Sequence, residues 1–240
     1  MTTKVESVVE IMQELSGKGT AQTKKTMLRH GACEPLFGVK ISDLKPLQKR
    51  LKGQQALALE LFATKNSDAM YLAGLVANGQ LMTKQQLDQW SAEATWHMIA
   101  ACSVAWVAAE HPQCIPIANQ WISSRRELTA IAGWSTLSAA ACAVPDEQLP
   151  IDELAILLER VAEDLEAAPD RVRYAMNGYV ITCGTYVASL GEKAIAVARA
   201  IGPVSVDMGD TACQVPDAQA AIIKARRGAD VAPKRKTARC

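Results

Sequence analysis

The side chains best suited to binding a ring or a cation are concentrated in the middle of the chain, because all five tryptophans fall between Trp90 and Trp134. Four of them, Trp96 and Trp106 included, sit in or beside alanine-rich apolar segments. An indole ring either holds a ligand on its face or fills a hydrophobic core. The sequence supports both roles at Trp96 and favours core packing at Trp106.

The other reactive side chains form no recognisable catalytic or metal-binding pattern. His97 and His111 have no second His, Cys or carboxylate at metal-ligand spacing. Asp207 and Asp210 lie in a loop with Cys213 nearby and could form an acid pair or a metal site. In the simpler interpretation, Asp207 is solvated and Asp210 or Thr211 caps a helical turn. There is no Gly-rich phosphate loop and no nucleophile elbow. We therefore expect no metal and no cofactor.

The charge of the chain is distributed unevenly, although its net value is only +1. Residues 1–52 carry ten Lys/Arg against five Asp/Glu, residues 222–240 carry seven against one, and the part between them is therefore about −10. Clustered cations gain affinity for a polyanion by releasing its counterions, whereas the alternative is that these ends are simply solvated. The cations placed to contact phosphates include Lys40, Lys45, Lys49, Lys234, Arg235 and Lys236.

The elements that position these side chains are predicted to be helices throughout. Residues 96–109, 128–145 and 174–191 are apolar on nearly every side, and the last two segments contain no charged residue. Such helices must be covered on several sides, and each is preceded by a more polar helix. No alternation of period two interrupts the pattern. The chain is therefore predicted to be all-α, a HEAT-like α-solenoid of antiparallel helix pairs in an outer and an inner layer.

Residues 1–228 are predicted to form one helical-repeat domain, and residues 229–240 a basic tail that is disordered when free. Residues 1–19 are typical of an amphipathic helix and not of a signal peptide. The apolar segments are too short or too polar to span a membrane. Seven cysteines without a Cys-x-x-Cys pair indicate free thiols and a cytoplasmic location, nucleoid-associated if the protein binds DNA.

Four short motifs give the chain a resemblance to a known family. They are Phe37-Gly38-Val39-Lys40, Trp96 at the head of a central helix, His111-Pro112 followed by Trp121-Ile122, and Met176-Asn177-Gly178-Tyr179. In this order and spacing the chain resembles the HEAT-like DNA alkylation repair family, the AlkD-type alkylpurine DNA glycosylases, over residues 1 to about 228. The resemblance implies a right-handed superhelix that holds double-stranded DNA on a concave basic surface and removes positively charged alkylated purines.

The resemblance also implies roles for individual residues. Trp96 matches the family's central tryptophan, and Tyr179 falls where a second aromatic ring would contact the cationic base. The family's catalytic aspartate follows the tryptophan by four residues, and that position is Ala100 here. Without a carboxylate, base release would lose its main electrostatic contribution. The catalytic residue is therefore unassigned, and a non-catalytic HEAT-like module that binds a protein or nucleic acid is the alternative.

One further pair of cations follows from the resemblance. An arginine that the family carries in the next inner helix falls near Ala130, with Arg125 and Arg126 close in sequence. The full set of DNA-contact candidates is Trp96, Tyr179, Lys40, Lys45, Lys49, Arg125, Arg126, Lys234, Arg235 and Lys236.

Overall fold

The computed structural model describes residues 6–239, and this range contains helices and turns with no strand. The all-α prediction is therefore confirmed. The helices are α1 (Val8–Lys18), α2 (Ala21–Arg29), α3 (Ile41–Arg50), α4 (Gln55–Ala63), α5 (Ser67–Val76), α6 (Lys84–Glu93), α7 (Ala105–Ala109), α8 (Cys114–Ile122), α9 (Glu127–Ala143), α10 (Ile151–Asp164), α11 (Asp170–Tyr186), α12 (Gly191–Ile201) and α13 (Ala218–Arg226). A π-helical segment, Ile99–Val104, runs directly into α7.

Two layers arise because the helices differ in how much of their surface is apolar. α5 is buried along its whole length, and α9 buries most of its residues. α10 instead buries one stripe, Leu154, Leu157, Leu158 and Val161, and exposes its acidic face. The inner layer is α5, the π segment with α7, α9, α11 and α13, each packed on the next. α4, α6, α8, α10 and α12 cover it from outside.

A buried carboxylate fixes the turn before α3. Asp68 is 1% exposed, and its two carboxylate oxygens accept hydrogen bonds from the backbone N–H groups of Phe37 (2.6 Å), Gly38 (3.0 Å) and Val39 (2.8 Å). Gly38 has φ +82°, and a Cβ there would lie 2.4 Å from the backbone nitrogen of Lys24. The turn motif thus supplies three donors to one anion and lets the backbone approach α2 closely.

The central helix is not the regular α-helix that residues 96–109 predict. Helical structure begins at His97, and residues Ile99–Val104 form the π segment before α7 continues the helix. A π turn holds an extra residue per turn, so it shifts which side chains face the inner surface. Ala100 is fully buried, whereas Ala101 and Cys102 are partly exposed.

The tail differs from the disordered segment that its composition predicts. Residues 229–239 run across the C-terminal ends of three inner helices. The contacts are hydrogen bonds from Ala232 N–H to Thr185 O (2.8 Å), from Arg235 N–H to Cys142 O (2.8 Å), and from the Arg239 guanidinium to Leu75 O (3.0 Å) and Ala77 O (2.7 Å). The last carbonyls of a helix have no partner within it and favour a cation, so they hold this basic segment in place. The domain boundary at residue 228 stays a prediction.

Within residues 6–239, no single helix is long and apolar enough to cross a bilayer, and only the bent pair Asp170–Tyr186 and Ala188–Ile201 meets the length and composition criteria together.

Candidate functional site

The inner layer lines a half-open cavity of about 630 Å³. Its walls come from α2, the π segment, α9 and α11, from the loop after α12, and from the tail. The charged or imidazole side chains that line it are His30, His97, Arg171 and Arg235. Among the described residues no aspartate or glutamate lines this cavity. The cavity is therefore a place for a neutral or anionic ligand.

One face of α11 forms the floor of the cavity. Tyr174, Gly178, Thr182 and Tyr186 recur every four residues, so they stack along one side of the helix, with Arg171 one turn before Tyr174. Tyr174 is 40% exposed. Gly178 leaves a gap in this face, because a Cβ there would meet nothing within 4 Å. Sequence reasoning missed Tyr174, although the spacing of four residues is visible in the sequence.

The π segment and its flanks form the wall opposite. Trp96 and Trp106 both line the cavity, and each is 7% exposed. The Trp106 ring meets Tyr71 edge to face at 5.6 Å. The indole nitrogen of Trp96 is buried and has no hydrogen-bond acceptor among the described residues. Both tryptophans thus pack in the core and border the cavity, and ligand contact by Trp96 stays a prediction.

His97 lies where the central helix begins. Burial, together with the nearby Arg171 and His30, lowers the pKa of His97 from its ordinary 6.5 to about 4. Its ring packs edge to face on Trp96 at 5.1 Å. The imidazole is therefore neutral at neutral pH and can donate one hydrogen bond.

Tyr179 does not face the cavity. It is 0% exposed, its hydroxyl donates to Leu154 O at 2.9 Å, and its ring packs on Trp134 at 5.3 Å. Burial also raises the pKa of its phenol, so it stays protonated. The candidate role of Tyr179 as a base contact is corrected here, because Tyr179 lies on the face of α11 that packs against the outer layer.

The predicted cations are spread over several surfaces. Of the tail residues, Arg235 lines the cavity, Lys234 donates to Ala141 O (2.7 Å) and pairs with Asp146 (2.7 Å), and Lys236 is exposed. Among the remaining candidates, Lys40, Lys49, Arg125 and Arg126 are exposed and Lys45 is half-buried, and all five lie outside this cavity. Arg126 is bonded to Ala92 O at 2.6 Å. The structure therefore brings only Trp96 and Arg235 of the predicted set together.

The acidic loop after α12 is neither an acid pair nor a cap. Asp207 accepts from Gly209 N–H (2.7 Å), and the backbone carbonyl of Asp210 accepts from Arg29 (2.6 Å). No helix begins at Asp210; the cap of α13 is Asp217, which accepts from Ala220 N–H at 2.7 Å. Within residues 6–239 no cluster of three His, Cys, Asp or Glu side chains is placed to hold a metal ion.

The two helical layers define a HEAT-like helical-repeat protein, and comparison with known proteins gives the family. Residues 11–206 match the family described as DNA alkylation repair enzyme. The chain belongs to this family, which confirms the resemblance based on its motifs.

Two relatives and one solved structure are similar over nearly the whole chain. The uncharacterised protein Lin0241 of Listeria innocua is 36% identical over 219 residues, which cover 89% of this chain and 94% of the relative. Lmo0209 of Listeria monocytogenes is 35% identical over the same shares. The solved structure belongs to a family related to the HEAT-like repeat DNA glycosylases with affinity for branched DNA structures. This structure matches with a TM-score of 0.89 and 33% sequence identity, and the match covers 98% of this chain and 100% of the other. The HEAT-like solenoid is therefore confirmed.

Proposed function

We propose that this protein binds DNA on the inner surface of its solenoid and prefers branched DNA to a continuous duplex. The observation that carries the proposal is a cavity with four cationic or imidazole side chains and, among the described residues, no lining carboxylate. Phosphates are favoured on such a surface by charge and by hydrogen bonds to Arg. The affinity of the structural neighbour for branched DNA supports the preference. A cytoplasmic, nucleoid-associated location follows from this role.

We further propose that the protein binds without releasing alkylated bases. Breaking the glycosidic bond of a purine builds positive charge on the sugar, which an enzyme stabilises with a placed carboxylate. The position that matches the family's aspartate is Ala100, which is fully buried, and the cavity beside it presents cations. A cationic sugar or a methylated purine would be repelled there.

Fluorescence anisotropy with a labelled four-way junction and a linear duplex of equal length tests the binding proposal. We expect the junction to bind about tenfold more tightly, and Arg171→Ala to weaken the junction complex more than the duplex complex, because Arg171 lines the cavity that favours phosphate. Arg160→Ala is the matched control, since Arg160 pairs with Asp164 on the outer helix α10. Absence of binding to either DNA at low salt would overturn the proposal and leave a protein-binding scaffold.

Base release is measured separately. The purified protein is incubated with DNA that contains 7-methylguanine or 3-methyladenine, and free base is quantified against a heat-inactivated sample. We expect no release above that control. Catalytic release of either base would contradict the second proposal while leaving the first intact.

A further inference from the structure

We propose that the inner cavity holds a single unpaired nucleotide, with its base beside Tyr174 in the gap over Gly178 and its phosphate at Arg171, His97 and His30. This inference rests on the proposed function, since it names what the same groove recognises in branched DNA. Branched DNA differs from a duplex in offering nucleotides that are not stacked and paired at the branch point.

The size of the cavity favours one nucleotide over a duplex. About 630 Å³ lies within the range of pockets that hold small ligands. Met208 and Cys213 of the loop after α12 line the cavity, as do Arg235 and Ala238 of the tail. A segment of double helix is too wide for a space bounded in this way, whereas one extruded base and its phosphate fit.

The end of the cavity at Gly178 is suited to a planar base. Tyr174, one turn before Gly178, is a 40% exposed aromatic residue, and the missing side chain at Gly178 leaves the adjacent space empty. Bases stack on aromatic rings irrespective of sequence. Trp96 and Trp106 border the same space, and the buried indole N–H of Trp96 is a donor without a partner among the described residues.

The other end is suited to a phosphate. Arg171 lies two turns before Gly178 on α11, and the hydrogen bond of its guanidinium is to Met208 Sδ at 3.4 Å, a weak acceptor. Arg171 makes no ion pair with a described residue. The neighbouring carboxylate, Asp170, is engaged by Arg173 and by the backbone N–H of Asp207. His97 and His30 line the cavity together with Arg171, and among the described residues no aspartate or glutamate does, so three possible donors border a space with no anion.

A larger side chain at position 178 should fill the gap in the cavity and leave the fold intact. Gly178→Leu adds a side chain where a Cβ has open space, and leucine favours a helix more than glycine does. Gly17→Leu is the matched control, because Gly17 also lies in a helix with nothing within 4 Å of its Cβ, but in α1 far from the cavity. Thermal unfolding of both variants shows that the fold is retained. Tyr174→Ala is a second variant at an exposed position.

The ligands are a duplex with one unpaired 2-aminopurine nucleotide and the same duplex fully paired. We expect wild type and Gly17→Leu to bind the unpaired form at least tenfold more tightly and to change its 2-aminopurine fluorescence. Gly178→Leu and Tyr174→Ala should lose this preference, so that each variant binds the unpaired form no more tightly than the paired form. Retention of the preference and the fluorescence change in Gly178→Leu would overturn the inference, whereas the proposed function fails if wild type binds no DNA or binds the four-way junction no more tightly than the linear duplex.

Free ligands distinguish a nucleotide site from a simple anion site. Displacement of the unpaired-nucleotide DNA from wild type by millimolar deoxyadenosine monophosphate, and not by inorganic phosphate at the same concentration, supports recognition of base and phosphate together. Equal displacement by inorganic phosphate overturns the assignment of the base to the Gly178 gap.

Discussion

Asp68 shows how much of the fold depends on single buried groups. Its carboxylate is 1% exposed and accepts three backbone N–H bonds from the turn before α3. Asp68→Asn replaces an acceptor oxygen by an NH₂ group that faces N–H donors. We expect it to lower the free energy of unfolding by about 2–4 kcal/mol in urea denaturation.

The matched control for this prediction is Asp152→Asn, since Asp152 is an exposed residue in the first turn of α10. At this position the substitution removes only the interaction of the carboxylate with the helix dipole, so the free energy of unfolding should fall by about 0.5 kcal/mol. Equal effects of the two substitutions would contradict the role given to Asp68.

His97 makes the stability of the fold depend on pH. Its folded-state pKa of about 4 lies below the ordinary 6.5, so between these values the unfolded chain binds more protons than the folded chain. Stability is therefore lost as pH falls from about 7 to 4. We expect a loss of about 1–2 kcal/mol from this partly exposed ring.

Urea denaturation of wild type and His97→Gln at pH 7 and at pH 4.5 measures this loss. The variant should lose less stability than wild type over the interval, whereas His111→Gln should behave as wild type. A pH dependence that is identical in wild type and His97→Gln would exclude His97 as its source.

Among the elements, the π segment decides which residues of the central helix face the cavity. Ala100 points into the core, whereas Ala101 lines the cavity. Ala100→Asp therefore buries an unpaired charge, and we expect it to destabilise the fold by about 3–5 kcal/mol without producing base release. Ala101→Asp should fold, because its carboxylate reaches the cavity, and should weaken DNA binding by repelling phosphates.

Thermal unfolding, anisotropy and the base-release assay compare the two variants, and Ala101→Ser controls for the change in size. A stable Ala100→Asp protein would mean that this position is not enclosed by the core.

The tail is the second element whose role follows from its contacts. Arg239 donates to Leu75 O (3.0 Å), to Ala77 O (2.7 Å) and to Glu110 (2.5 Å). Arg239→Ala removes three hydrogen bonds, although Leu75 O keeps Gln48 and Glu110 keeps the N–H of Gly79, and we expect it to lower the free energy of unfolding by about 2–3 kcal/mol. Lys236→Ala is the control, since Lys236 is exposed, and should change stability by less than about 0.5 kcal/mol. Denaturation curves that coincide for both variants would show that the contacts of Arg239 contribute nothing to stability.

For the whole molecule, the basic ends predict binding that depends steeply on salt. The logarithm of the association constant should fall linearly with the logarithm of salt concentration, at about 0.9 per phosphate contact. Lys234 and Arg239 are bonded to the protein, so removal of the chain after Gly228 should reduce this slope by only about 2, the contribution of Arg235 and Lys236. Salt-independent binding, or an unchanged slope after truncation, would refute the electrostatic description.

The sequence by itself determined the helical class, the layers and the family. Segments such as residues 128–145 and 174–191 carry no charge and have helical spacing, so they had to be inner helices covered by polar partners. The same reasoning placed Trp96 at the head of the central helix beside a position, Ala100, with no carboxylate. These features are local, because they depend on residue type and on the periodicity of one helix at a time.

Only the tertiary structure decided which side chains meet in the cavity. The family resemblance pointed to Tyr179, and a helix that is apolar on all sides gives no sign of which face is inner, so the sequence did not show that Tyr174 lies on the cavity floor. The extra residue of the π turn and the carbonyls that hold the tail are likewise absent from any single-helix pattern. Every helix end has free carbonyls, but only the stacking of neighbouring helices brings the ends of three of them within reach of one segment, and for that physical reason the basic tail, with no apolar pattern of its own, is held there.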